Sequence, residues 1–416
     1  MSIIYHIAKN TLRECLRQPI YIILMITTLV IIGCYPIFSW FVFREQEKLV
    51  IDGSLASILL FGLITAVLCS SHAVFREIES GTVLLILSKP VSRSQFILAK
   101  VVGIGAALTI FVVVTGLAAL MMLRAATDQF RFDHNVIIAY FVLMGLANIY
   151  GGARNYFTSR SYAAECTKGL TVLMIILATI VFFLPEWSSS RYNWKEGSAM
   201  YNPELAMELV LILFAVWAMG AMAVAFSTRL NLVSNMTVCM SIFFLGLMSN
   251  YIYHNLKDLE RTRIEEMLFS WHLLFIPVCI FIWVLSIKKY NERKDPKVKR
   301  WEIHSVFSVI ILAVISKSIF NSVNNVKISI PPDWMKSVAS VIFSIKDVLA
   351  ENIYAILPNW QKFWIVDTIT DGNPDNAMPL EYLGYSFSYV VLFIAIFTLL
   401  GIMLFSNKEV GNQTIQ

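Results

Sequence analysis

The chain has 416 residues, of which 57% are apolar and only 15% charged. No soluble fold of this length has use for so much apolar surface, so the composition points to a protein embedded in a membrane. The formal charge of +5 is spread along the chain instead of being gathered on one face, which removes nucleic-acid binding from consideration.

The N-terminal residues 1–18 predict an amphipathic helix lying on the membrane surface. Ile3, Ile4, Ile7, Ala8, Leu12, Cys15 and Leu16 fall on one face at helical spacing, Lys9, Arg13 and Arg17 fall on the other, and Pro19 ends the segment. A cleaved signal peptide is not expected, because the apolar run from Ile20 is longer than a signal core of roughly 7 to 15 residues and no small-x-small site follows it.

A helix needs about 20 residues to cross a hydrocarbon core of roughly 30 Å. About ten apolar blocks approach that length: Ile20–Val42, Leu55–Val74, Val101–Leu123, Val136–Tyr150, Gly169–Leu184, Leu205–Ser227, Val233–Tyr253, Trp271–Ile287, Ile303–Phe320 and Leu383–Phe405. The fourth, fifth and ninth are short. The expected fold is therefore all-α, a polytopic transmembrane bundle forming one domain over residues 1–416. Lys and Arg resist translocation. Placing the N-terminus inside puts Arg76, Lys89, Arg93 and Lys100, then Arg154, Arg160 and Lys168, then Arg229, and then the basic run 288–300 on the cytoplasmic side, and leaves the outer side net negative. An even number of spans with both termini cytoplasmic, in a plasma membrane, follows as the expectation. Glu208 and Lys317 stand near span ends and are expected to snorkel to the interface.

Between the second and third blocks the chain reads EIESGTVLLILSKPVSRSQFILAK, from Glu77 to Lys100. An acidic turn with Gly81 and Thr82, an apolar patch, Ser88-Lys89-Pro90-Val91-Ser92-Arg93 and a lysine opening the next span make up the pattern. The stretch closely resembles the first cytoplasmic loop of ABC-2-type transporter permeases, the membrane-spanning subunits of ATP-driven exporters. Two weaker elements agree with it. Ser227-Thr228-Arg229-Leu230 is similar to a turn between two central spans of that family, and Leu357-Pro358-Asn359-Trp360 with Phe363, followed by a last span ending near Lys408 and Glu409, looks like its closing segment.

The resemblance implies that the loop 75–100 carries a coupling helix that docks on a separate cytoplasmic ATPase. Glu77, Glu79, Gly81, Thr82, Ser88, Lys89, Pro90, Arg93 and Lys100 are the implied coupling residues, in a loop exposed to the cytoplasm. It also implies an outer gate at Pro358, Asn359, Trp360 and Phe363, and pairing with a second permease copy or a paralogue. A six-span core is usual in the family, so Val136–Leu184 and Trp271–Phe320 read as two inserted hairpins. The cytoplasmic stretch from Gly151 to Lys168 is long enough to assist the first loop.

No G-x-x-x-x-G-K-[ST] occurs in the chain, so the backbone cradle of a P-loop is missing and ATP would be bound and hydrolysed by the partner. No cofactor or metal is expected either. His6, His72, His134, His254, His272 and His304 form no i, i+4 pair, and no Cys-x-x-Cys occurs. Cys34, Cys69, Cys239 and Cys279 fall in spans and Cys15 and Cys166 on the inner side, which suggests no disulfide framework.

The outer segment 321–382 predicts an amphipathic or re-entrant helix, with Val338, Val341, Ile342, Ile345, Val348, Leu349 and Ile356 at helical spacing. Asp367, Asp371 and Asp375 lie in a stretch dominated by turn chemistry. The leading expectation is a permease and not an enzyme. A polytopic enzyme acting on a lipid-linked substrate, with Asp371 and Asp375 as its chemistry, is the alternative. A secondary transporter is disfavoured because ionisable residues at mid-span are nearly absent.

Overall fold

A computed structural model describes residues 2–38, 46–83, 91–126, 133–183, 203–258, 333–365 and 380–406, together with Val42 and Ser88. Among them every regular element is helical. The expected spans at Trp271–Ile287 and Ile303–Phe320, the basic run 288–300, Lys89, Pro90, Lys317 and the Asp367–Asp375 stretch lie outside the described residues. The rest falls into two compact units, Met1–Leu247 with Trp360–Gln416, and Met248–Asn359.

The larger unit begins with α1 (Ser2–Arg17) and α2 (Pro19–Phe38), joined at Gln18. Next come α3 (Gln46–Ser70), a wider π turn at Ser71–Phe75 and the single-turn α4 (Arg76–Glu79). Long helices follow: α5 (Arg93–Ala125), α6 (His134–Thr158), α7 (Tyr162–Phe183), α8 (Pro203–Ser227) and α9 (Leu232–Leu247). A 3-10 turn at Trp360–Phe363 and α12 (Leu380–Ser406) complete the unit. The smaller unit contains α10 (Ser249–Lys257) and α11 (Asp333–Ile356).

Among the described residues seven helical stretches are long and apolar enough to cross a membrane, and α9 taken together with α10 would make an eighth. The second stretch runs without a break from Glu47 to Glu79, longer at both ends than Leu55–Val74 suggests. The fourth and fifth blocks are full helices of 25 and 22 residues. Their polar ends, with Asn148, Arg154 and Glu165, hid this length from a hydropathy reading. The expected Gly151–Lys168 loop is thereby reduced to a three-residue turn, Ser159 to Ser161. Asp133 caps the start of α6 by accepting from the Val136 amide, and Ser159 ends it in the left-handed region at φ 52°.

The core lies where α3, α5 and α8 meet, with α2 and α12 around it. Leu55, Ile58, Leu63, Leu108, Phe111, Ile212 and Met219 are fully buried there. Between helices in lipid the apolar driving force is weak, and close packing and interhelical hydrogen bonds carry more of the association. The tyrosine hydroxyls supply two such bonds: Tyr21 donates to the Ala107 carbonyl and Tyr140 to the Leu29 carbonyl, each at 2.8 Å. Asn235 on α9 is buried and donates to Ser71 Oγ at 3.1 Å and to the Ala223 carbonyl at 3.2 Å. It thereby ties the π turn to two helices.

Glu208 departs from expectation. It does not snorkel; it is fully buried on α8, and its Oε1 accepts from the Ile365 amide at 2.9 Å. A carboxylate at a span end can reach water only if nothing packs over it. Here the chain following Trp360–Phe363 supplies a backbone donor that water would otherwise replace.

Candidate functional site

The stretch that resembles a coupling loop folds mostly as helix. α3 continues through the π turn into α4, and Gly81, at φ +71°, ends it in the left-handed conformation that glycine adopts without penalty. Thr82 Oγ1 donates to the Glu77 carbonyl at 3.1 Å and Ser80 Oγ lies 3.0 Å from Thr82 Oγ1, so hydroxyls take up polar groups left at the helix end. On the far side, Ser92 and Gln95 form a capping box. Gln95 N donates to Ser92 Oγ at 3.2 Å and Ser92 N to Gln95 Oε1 at 3.1 Å, which fixes where α5 starts.

The implied coupling residues separate into two groups. Glu79, Thr82 and Ser88 are exposed, and Gly81 has no heavy atom within 4 Å of where a Cβ would stand. Glu77 and Lys100 instead form a largely buried pair, with Lys100 Nζ 2.7 Å from Glu77 Oε1 and 1% of the lysine and 16% of the glutamate side chain exposed. Glu77 therefore departs from the expectation of a loop exposed to the cytoplasm. Lys100 lies two turns inside α5, and α1 packs over that part of the helix and shuts water out.

Sequence reading missed the partners that complete this cluster. Glu14 on α1 places Oε2 3.6 Å from Lys100 Nζ and Oε1 3.7 Å from His72 Nδ1. Arg76 NH1 donates to His72 Nε2 at 2.8 Å. Because a guanidinium only donates, Nε2 must accept, and the His72 proton sits on Nδ1, facing Glu14. Lys100 Nζ also lies 5.5 Å from the centre of the Phe96 ring. Two carboxylates from different helices thus share one buried ammonium. The available signal was that Glu14 is the sole acidic residue of α1.

Close backbone approach holds α1 in place. A Cβ on Gly103 would stand 2.6 Å from the Ala8 carbonyl oxygen and 2.7 Å from Thr11 Cβ. Only glycine admits α1 at that distance, one turn beyond Lys100 on α5.

Arg93 and Arg229, from the two motif segments that flank the central helices, meet at the end of α12. Arg93 NH1 donates to the carbonyls of Phe405 at 3.2 Å and Ser406 at 2.7 Å, and Arg229 Nε donates to that of Leu404 at 2.8 Å. The last carbonyls of a helix lack intrahelical partners and carry the negative end of its dipole, so two guanidiniums there are favourable. The structure therefore unites elements that are about 140 and 175 residues apart in the chain.

The segment implied as an outer gate divides between the two units. In the smaller unit Pro358 and Asn359 are buried, and Asn359 Nδ2 donates to Asn250 Oδ1 at 2.7 Å and to the Tyr354 hydroxyl at 2.9 Å. In the larger unit Trp360 and Phe363 are buried in an aromatic cluster, with Trp360 ring centres 6.4 Å from Phe243, 6.3 Å from Phe363 and 5.9 Å from Phe393. Phe363 continues it to Tyr389 at 6.0 Å.

The α6–α7 turn carries a further ionic cluster. Glu165, with 5% of its side chain exposed, pairs with Lys168 at 2.8 Å and with Arg154 and Arg160 at 3.7 Å each. Among the described residues no group of three or more His, Cys, Asp or Glu is placed to hold a metal ion.

Comparison with curated proteins finds no match to the chain. Comparison with family models does: the model described as ABC-2 family transporter protein matches residues 5–410, a range that holds every side-chain cluster just described. The chain is an integral membrane protein that belongs to the ABC-2 transporter family.

Proposed function

We propose that this chain is the membrane-spanning permease subunit of an ATP-driven exporter, working with a separate cytoplasmic ATPase and a second permease copy or paralogue. ATP would be bound and hydrolysed by the partner. The observation that carries the reading is the Glu14–Lys100–Glu77 cluster: it fastens the segment ending at Gly81 to both α1 and α5. A force applied by a docked ATPase to the exposed surface at Glu79, Thr82 and Ser88 would move α3, α5 and α1 together. Such rigid-body motion of packed helices is a usual way of changing access to a path.

The charge distribution supports placing this surface, both termini and the α6–α7 turn in the cytoplasm. Trp360 and Phe363 then lie toward the outer side, where movement of the aromatic cluster would open a path, as expected of an outer gate. Affinity purification from native membranes tests the partnership. The chain purified alone should hydrolyse no ATP, and an ATPase should accompany it when detergent extraction is mild. Transport by the chain reconstituted without any ATPase would overturn the reading.

A further inference from the structure

The segment Ser71–Glu79 and α1 enclose a groove of about 650 Å3. Arg13 and Arg17, one turn apart on α1, line it together with Arg76. Gln18 lines it as well; this residue is only 7% exposed, and its Nε2 has no hydrogen-bond partner. A buried amide donor is costly to leave without an acceptor, so such groups in native structures usually have a partner that arrives from elsewhere.

The acidic side chains of the groove lie against cationic or donor groups, although Glu14 Oε2 and Glu77 Oε2 accept no hydrogen bond. Glu77 is bound to Lys100, and Glu14 lies between Lys100 and His72. Arg76 is held by His72. Arg13 and Arg17 are exposed at the opening and make no ion pair among the described residues. An occupant of the end formed by Arg13, Arg17 and Gln18, away from the two carboxylates, must bring acceptor oxygens and negative charge.

Its depth narrows the choice further. Pro19, on the rim, is the first residue of the first candidate span, and Glu77 stands in the last turn of the second. Span ends mark the level at which a bilayer passes from hydrocarbon to headgroups. At that level the phosphates of anionic lipids are the abundant anions, and clustered Arg side chains recognise them.

We propose that the groove between α1 and Ser71–Glu79 binds the phosphate of an anionic phospholipid, with Arg13 and Arg17 as charge partners and Gln18 Nε2 as the buried donor. The bound lipid acts as a wedge that holds α1 against the coupling segment. The site stands on its own residues and does not depend on an ATPase docking nearby.

Delipidated protein in detergent, titrated with phosphatidylglycerol or phosphatidylcholine and counted by native mass spectrometry, tests it. One phosphatidylglycerol should be retained in preference to phosphatidylcholine. The double variant Arg13→Gln/Arg17→Gln should weaken it by about 30-fold, at about fivefold for each basic side chain lost. Gln18→Leu should also weaken it, while leaving the lipid-free protein at least as thermally stable, since it removes a donor that had no partner. Lys9→Gln, on the same helix but outside the groove, should change nothing. Equal retention of both lipids, or unchanged phosphatidylglycerol binding in the Arg13/Arg17 and Gln18 variants, would overturn the proposal. Displacement of the lipid by millimolar inorganic phosphate would overturn it too, by assigning the groove to a free anion.

Discussion

Lys100 Nζ lies 2.7 Å from Glu77 Oε1 in a setting where the lysine is 1% exposed, and Glu14 from the N-terminal helix closes on the same ammonium at 3.6 Å. An ion held there must keep its counter-charges. Taking away one partner of a buried pair leaves the other uncompensated, at a cost of about 3 to 5 kcal/mol. Lys100→Met should therefore lower membrane abundance and melting temperature sharply. Adding Glu77→Gln should recover part of the loss, because the nearer of the two carboxylates left without Lys100 is then neutral. Thermal unfolding of the single and double variants in detergent measures this, and a double variant no better than Lys100→Met would show that the pair is not coupled.

Gly103 and Gly105 provide a matched test of how α1 is held. A side chain at Gly103 collides with Ala8 and Thr11, whereas one at Gly105 meets nothing within 4 Å. Gly103→Leu should displace α1 and raise amide exchange over residues 2–17 by about tenfold or more, the equivalent of about 1.4 kcal/mol of local stability. Gly105→Leu should leave it unchanged.

Arg93 and Arg229 share the last carbonyls of α12, so each should compensate in part for the loss of the other. Both side chains are at least partly exposed, and each interaction should contribute under about 1 kcal/mol. Arg93→Gln or Arg229→Gln alone should leave abundance near normal and modestly raise amide exchange in residues 401–406. The double variant should fray that turn by more than the sum of the two.

Glu208 holds the Ile365 amide from a fully buried position. Glu208→Gln keeps an acceptor oxygen and should be tolerated. Glu208→Ala leaves the amide unsatisfied, at about 1 to 3 kcal/mol, and should speed exchange at Ile365 while lowering the melting temperature. Equal effects of the two substitutions would argue against the hydrogen bond as the cause.

Much of this architecture can be read from hydropathy, because helices that cross lipid must satisfy their own backbone and hide little of their apolar character. Leu205–Ser227 and the last helix matched their apolar blocks to within three residues at either end. The reading failed where a helix continues past its apolar stretch. Asn148, Arg154 and Glu165 made two full helices look short and their tight turn look like a loop. At the candidate site, motif resemblance picked out Glu77, Lys100 and Arg93 but gave them the wrong surroundings, since a linear pattern does not show what packs over it. Glu14 and His72 escaped it for a related reason: a lone acid on α1 and a histidine in the π turn name no partners until packing sets Glu14 beside Lys100 and His72.

Docking of an ATPase on the exposed edge at Glu79 is the central proposal, and Glu79→Lys probes it without disturbing the buried pair. Glu79 is exposed at the end of α4, where a charge change should alter folding by no more than about 1 kcal/mol. Membrane abundance and ATPase co-purification would be measured side by side for the parent chain and this variant. The account predicts near-normal abundance with loss of the co-purifying ATPase. Lower abundance with ATPase recovery per permease unchanged would contradict it, and would reduce the segment to a structural cap on α3 and α5.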